Sequence, residues 1–233
     1  QVRFNMYNML IEENNGHGIY NHQTGWYLIY KSIIKNNEGS GIYSEYWSYN
    51  QIIKTIISDN GGNGFINRTS YPSYINTSTI INNGADGTNG IFGLDNSIVY
   101  NNGGESVVLV PQGSWGSTVD VKYSNIQGGY TGLGNIDQDP QINSDYTLNE
   151  NSPCIDSGNP EGYWYHWNYN QWNYDGNDSL NVFNDPDGTI IDMGALYLNQ
   201  IPDCTDEFAS GTNPDGSCTY PDNGDYSLSF DGV

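Results

Sequence analysis

Few residues in this 233-residue chain could do chemistry, and their spacing decides which kind. The formal charge is −21, with only Arg3, Lys31, Lys35, Lys54, Arg68 and Lys122 against 27 acidic residues. Lys31 and Lys54 occupy equivalent places in successive units of a repeat, but no Asp or Glu column runs beside them to hold calcium for a lyase-type proton abstraction, so they read as solvated lysines on an outer strand. Asp59, Asp86 and Asp95 fall out of step with that repeat, and so do not read as the carboxylate pair of a glycoside hydrolase. His17, His22 and His166 form no nucleophile triad and no H-E-x-x-H pair. The three cysteines lack zinc spacing; Cys204 and Cys218 flank a Gly/Asn/Pro/Asp-rich loop and could pair in an oxidising compartment, leaving Cys154 alone.

Aromatic residues carry the better signal. Trp26 and Tyr49 stand one unit apart, as do Tyr20 and Tyr43, with Tyr46 and Trp47 in the same arc. Rings repeated at one spacing can stack against sugar faces, so these six are the candidate carbohydrate-binding residues; the alternative is that they cover the fold or pack on each other. The stretch YWYHWNYNQWNY at 163–174 has the same two readings, with capping of a terminal coil the preferred one. Asp175, Asn177, Asp178, Asp185 and Asp187 supply closely spaced oxygens suited to a structural calcium, although the EF-hand pattern is not met. Turn-forming Asp/Asn/Gly is the alternative there.

The elements that position these residues follow from the repeat. Leu10-Ile11, Ile33-Ile34, Ile56-Ile57, Ile80-Ile81 and Ile98-Val99 recur at a spacing of about 23 residues, shorter at the last step. A second block runs Gly18-Ile19-Tyr20, Gly41-Ile42-Tyr43, Gly64-Phe65-Ile66 and Gly90-Ile91-Phe92. Between the blocks stand Asn pairs or Asp59-Asn60, giving the unit Ser/Thr-Ile-Ile-x-Asn-Asn-x-Gly-x-Gly-Ile-Tyr. Runs this short are strands, and no single unit buries its own apolar residues. Stacked units do, at about 4.8 Å per coil, with interior columns predicted as Leu10/Ile33/Ile56/Ile80/Ile98 and Ile19/Ile42/Phe65/Ile91. Asn14, Asn37 and Asn60 are expected to stack their amides at a corner, where Asn also tolerates left-handed backbone and Gly serves the same bends.

The unit resembles the right-handed parallel β-helix repeats of the pectate-lyase-like superfamily, over roughly residues 1 to 130. That resemblance implies an all-β solenoid of about five or six coils, and it implies no activity by itself. Asp139-Pro140, Tyr146-x-Leu148, Ser152-Pro153-Cys154-Ile155-Asp156-Ser157-Gly158 and Asp192-Met193-Gly194-Ala195 resemble the closing segment of choice-of-anchor Q type surface proteins. In that family the segment ends a secreted β-helix. The stretch DGSCTYP is similar to Cys-bounded spacers of marine bacterial surface proteins, and DYSLSFDGV resembles the first strand of a laminin-G/concanavalin-like module. The expected organisation is therefore coils over 1–134, a closing segment with its aromatic insertion over 135–199, a linker over 200–224 and the start of a lectin-like module over 225–233.

The acidity excludes nucleic acid as a partner, and no apolar run is long enough for membrane insertion. The chain opens on QVRFNMYNML without a start methionine or basic segment, so it is read as part of a longer exported protein. The expectation is a monomeric, non-catalytic module outside the cell or on its surface, meeting a polysaccharide. The alternative is a fragment of a β-helix polysaccharide lyase or glycoside hydrolase.

Overall fold

A computed structural model describes residues 2–22, 25–68, 71–109, 120–160, 185–200, 211–212 and 218–219. Among them there is no helix, and the chain divides into two units. The larger comprises residues 1–185 and 189–198. In the smaller, the described strands β18 (Gly211–Thr212) and β19 (Cys218–Thr219) pair antiparallel. The proposed Cys204–Cys218 pairing and the lectin-like strand at 225–233 lie outside the described residues.

The larger unit is a stack of coils, each turning through three short strands. The first coil consists of β1 (Val2–Tyr7), β2 (Leu10–Glu12) and β3 (Ile19–Asn21), and the second of β4 (Gly25–Tyr30), β5 (Ile33–Lys35) and β6 (Ile42–Ser44). Then come β7 (Ser48–Ile53), β8 (Ile56–Ser58) and β9 (Phe65–Asn67), followed by β10 (Ser73–Asn76), β11 (Thr79–Ile81) and β12 (Thr88–Ile91). The last strands are β13 (Gly93–Asp95), β14 (Ile98–Tyr100), β15 (Val107–Leu109), β16 (Asp120–Lys122) and β17 (Asn125–Ile126). Like strands stack in parallel into three sheets: β1-β4-β7-β10-β13-β16, β2-β5-β8-β11-β14-β17 and β3-β6-β9-β12-β15. The predicted solenoid is the observed fold.

Two predicted columns are corrected by the register. Ile57 pairs with Ile80 and Ile56 with Thr79, so the inward column is Ile34/Ile57/Ile80/Val99/Ile126. The outward column is Leu10/Ile33/Ile56/Thr79/Ile98. The fourth unit reads Ser78-Thr79-Ile80-Ile81, and a hydroxyl residue in the outward place shifted the apparent aliphatic pair by one. In the other block Phe65 pairs with Thr88, and Ile91 enters the core after a bulge at Asn89/Ile91. The fourth glycine of that column is therefore Gly87, not Gly90. Gly90 takes φ +91° at the bulge, where glycine alone is unstrained.

Gly41 has a different reason to be glycine. A Cβ there would lie 2.4 Å from Ile57 Cγ2 and 2.8 Å from the Gly64 carbonyl oxygen, so close approach of successive coils requires it.

The left-handed corners also depart from expectation. The predicted ladder of Asn14, Asn37 and Asn60 forms and continues through Asn83 to Asn102, each Nδ2 reaching the next Oδ1 at 2.7–2.9 Å. Positive φ belongs to the preceding residue instead: Glu13, Asn36, Asp59, Asn82 and Asn101. A second left-handed column, Asn8/Lys31/Lys54/Thr77/Asn96/Tyr123, turns each coil from the first sheet to the second. Beside it the buried hydroxyls of Ser32, Thr55, Ser78, Ser97 and Ser124 each donate to the carbonyl two residues back. Four of the five, Thr55 excepted, also accept an amide N–H from the preceding coil. These ladders satisfy backbone groups that the bends would otherwise leave without partners.

Residues 133–136 bond back onto the last coil, through Tyr123 N–H to Leu133 O and Ile126 N–H to Ile136 O. The closing segment then packs on the second sheet's outer face, where Ile81, Ile98, Leu148, Cys154 and Met193 form a second core. Cys154 is fully buried, burial pushes its thiol up to about 11, and it is a free thiol. Ala195 N–H donates to Thr79 Oγ1 at 2.9 Å, so the hydroxyl that disturbed the repeat docks the closing segment.

Candidate functional site

The six aromatic candidates divide between two faces and the turn that joins them. Tyr20 and Tyr43 are cross-strand partners on the third sheet, their rings 5.5 Å apart. Trp26 and Tyr49 are partners on the first sheet, 4.4 Å apart, and Tyr74 adds a ring 6.0 Å from Tyr49. Tyr46 and Trp47 occupy the turn between β6 and β7, with Tyr46 held at φ +57°. Exposure separates the set. Tyr20, Tyr46 and Trp47 are 53, 58 and 64 % exposed, whereas Tyr49 is 8 % exposed and burial raises its phenol well above the usual range. Tyr49 is therefore a packing residue, and the outward rings are Tyr20, Tyr46 and Trp47.

Sequence reasoning set the histidines aside as scattered, yet two of them complete this shelf. His17 stacks on Tyr43 at 4.7 Å and on Tyr20 at 5.9 Å, and its Nδ1 accepts the Ser40 amide at 2.9 Å. That bond leaves the proton of neutral His17 on Nε2. His22 meets Tyr46 edge-on at 4.6 Å, while Tyr20 Oη and His22 Nδ1 both engage Glu45. Tyr71 stacks on Trp47 at 5.9 Å. The signal for these partners was in the period itself, since His22 and Glu45 are one coil apart, as are His17 and Ser40.

The bond between Tyr20 and Glu45 sets the charge state of both groups. The bond to Glu45 holds the Tyr20 phenol up at about 12, so it stays protonated, and the same bond followed by His22 keeps Glu45 ionised below the usual range.

Asp95 is the acidic residue that tertiary structure reveals. It pairs across the strands with Lys122, which forms an ion pair with Asp120 at 2.9 Å. Only 6 % of Asp95 is exposed, and Oδ1 has no hydrogen-bond partner. Burial pushes its carboxyl up to about 7 and the Asp120 charge adds to the rise, against the pull of Lys122, the Asn96 amide and the Asn159 side chain. Asp86 is occupied structurally, bonded by Asn63, Asn89 and the Glu105 amide. Asp59 stands at a left-handed corner. Lys31 and Lys54 are also corner residues rather than strand residues, with Lys31 Nζ 5.2 Å from the Tyr30 ring centroid.

Of the calcium candidates, Asp175, Asn177 and Asp178 lie outside the described residues. Asp185 Oδ2 accepts the Asp192 amide at 2.7 Å, and Asp187 Oδ2 accepts the Gln200 amide at 2.9 Å. Among the described residues no three His, Cys, Asp or Glu side chains converge as a metal would require.

Comparison with known families agrees with this architecture: a model described as right handed beta helix region matches residues 2–152. The chain belongs to that family. No curated protein and no solved structure matches it. The match spans the coils and runs into the closing segment. In this β-helix the aromatic shelf sits where the third sheet turns into the first, and the Asp95–Lys122 pair lies near the opposite end of the stack.

Proposed function

We propose that this β-helix is a non-catalytic scaffold module of an extracellular or cell-surface protein, and that it contacts polysaccharide through the aromatic shelf. The observation that carries the reading is three exposed rings, Tyr20, Tyr46 and Trp47, braced by His17, His22, Tyr43 and Tyr71 on a rigid corner. Braced rings lose little conformational entropy on meeting a flat apolar sugar face. The arrangement of carboxylates supports the non-catalytic part, since Asp95 is buried and Asp59 and Asp86 lie on other corners. The choice-of-anchor Q type closing segment, the lectin-like module after it and a role in adhesion belong to the same proposal, on the residues quoted above.

Binding to a polysaccharide panel tests the reading. Trp47→Ala and Tyr46→Ala are each expected to weaken binding about 2- to 10-fold, in line with ring contacts of roughly 0.5–1.5 kcal/mol. Tyr49→Phe should leave it unchanged. A rise in unsaturated-uronate absorbance with any substrate of the panel would replace the scaffold by a polysaccharide lyase, and release of reducing ends by a glycoside hydrolase. Calcium is tested separately by melting the protein with and without chelator. A lower melting temperature in chelator is expected, and superimposable curves would remove calcium from the proposal.

A further inference from the structure

A groove of about 500 Å³ runs between the closing segment and the left-handed corner that follows the second sheet. Its size falls within the roughly 300–1,000 Å³ of clefts that hold small ligands. Ile81, Pro140 and Ile142 give it apolar surface, and Tyr100 and Tyr146 contribute rings.

The polar groups lining it are fixed and incompletely used. Asn101 Nδ2 donates to Asn82 Oδ1 at 2.7 Å, which leaves Asn82 Nδ2 as a donor and Asn101 Oδ1 as an acceptor on successive coils. Across the groove, Asp139 uses Oδ1 for the Gln141 amide, and Asn143 uses its Nδ2 within its own turn. Asp139 Oδ2 and Asn143 Oδ1 remain available as acceptors among the described residues. Tyr146 pins the two walls together, since its hydroxyl accepts from Ser58 Oγ at 2.8 Å and donates toward Asp59 Oδ2 at 3.4 Å.

We infer that this groove is a binding site for a neutral sugar residue. Apolar surface beneath fixed single-point donors and acceptors matches a pyranose, whose ring face is apolar and whose hydroxyls donate and accept. Two carboxylates, Asp59 and Asp139, line the groove and no Lys or Arg does, so uronates and sulfated or phosphorylated sugars are repelled. The inference shares the carbohydrate reading above but rests on a different face, separate from the shelf rings.

The test is titration of the full chain with the methyl glycosides of glucose, galactose, mannose and xylose and their disaccharides, beside galacturonate and calcium chloride, followed by calorimetry and tyrosine-ring NMR. Saturable shifts of the Tyr100 and Tyr146 ring signals with at least one neutral sugar are expected, weakened tenfold or more by Asp139→Ala and abolished by Ser144→Trp, which fills the groove from an exposed turn. Unaltered backbone spectra of both groove variants exclude misfolding as the cause. A Tyr100 and Tyr146 response to neutral sugar that survives Ser144→Trp, a groove preference for galacturonate, or a groove response to calcium alone would each overturn the inference while leaving the shelf reading intact. Loss of polysaccharide binding in Trp47→Ala with no neutral sugar in the groove would do the same, and the absence of any glycan binding would overturn both.

Discussion

Asn60→Ala is expected to lower the stability of the β-helix by about 3–5 kcal/mol. Asn60 is 1 % exposed. Its Oδ1 accepts from Asn37 N–H at 3.1 Å and Asn37 Nδ2 at 2.8 Å, and its Nδ2 donates to Ile34 O at 3.1 Å and Asn83 Oδ1 at 2.9 Å. Alanine therefore strips partners from two coils at once, in a place that water does not reach. A buried group left without a partner costs about 1–3 kcal/mol, whereas a bond exchanged with water costs far less. Two controls separate the ladder from the corner. Asn14→Ala, at the exposed end of the ladder, should cost much less. Asn36→Ala should cost about 1–2 kcal/mol, because it loses only a residue type that tolerates the left-handed corner. Urea midpoints of the three variants measure this, and an Asn60→Ala midpoint matching that of Asn14→Ala would show that the ladder contributes little.

The second large effect is a pH dependence centred on Asp95. Its carboxyl is raised from the ordinary 3.8 to about 7, first by burial and then by Asp120, so the folded chain holds a proton that the unfolded chain has already released. Between these values the native state binds more protons than the unfolded one, and stability falls as pH rises. The contribution is fully present below about pH 4 and lost by about pH 8, and a shift of this size corresponds to about 4 kcal/mol. The remaining acidic residues also repel one another more strongly as pH rises, so the wild-type profile alone is not diagnostic. Asp95→Asn isolates the effect by holding the site neutral throughout. The stability difference between variant and wild type should move by about 4 kcal/mol in the variant's favour from pH 4 to pH 8. A constant difference across that range would mean that Asp95 ionises normally in the folded protein.

Both predictions show what a repeat makes legible. The Asn ladder was visible because one residue type recurred at one spacing, and stacking identical amides needs no further information. The rings of Tyr20 and Tyr43, and of Trp26 and Tyr49, were placed as partners for the same reason. Their availability was not legible, because Tyr49 differs from the exposed rings only in what surrounds it. Asp95 was read as an isolated carboxylate, since the shortened sequence step before it and the longer one from it to Lys122 break the spacing that would align the two.

The sequence by itself determined the solenoid: the strands, their parallel stacking, the Asn ladder and the partners within each coil. These depend on residue type at a fixed period, which a linear chain displays directly. Tertiary structure alone decided the exact register around Thr79 and Gly87, the side of the backbone on which each Ile lies, and which rings stay open. It also placed the closing segment against the second sheet, and so formed the groove. The docking of the closing segment comes from contacts between residues 36 to 116 positions apart, as Asp156 with Asp192 and Thr79 with Ala195 show, and no period encodes them. The chemistry first read from spacing therefore stands on a frame the repeat dictates. Its exposure and charge state are set by packing that the repeat does not contain.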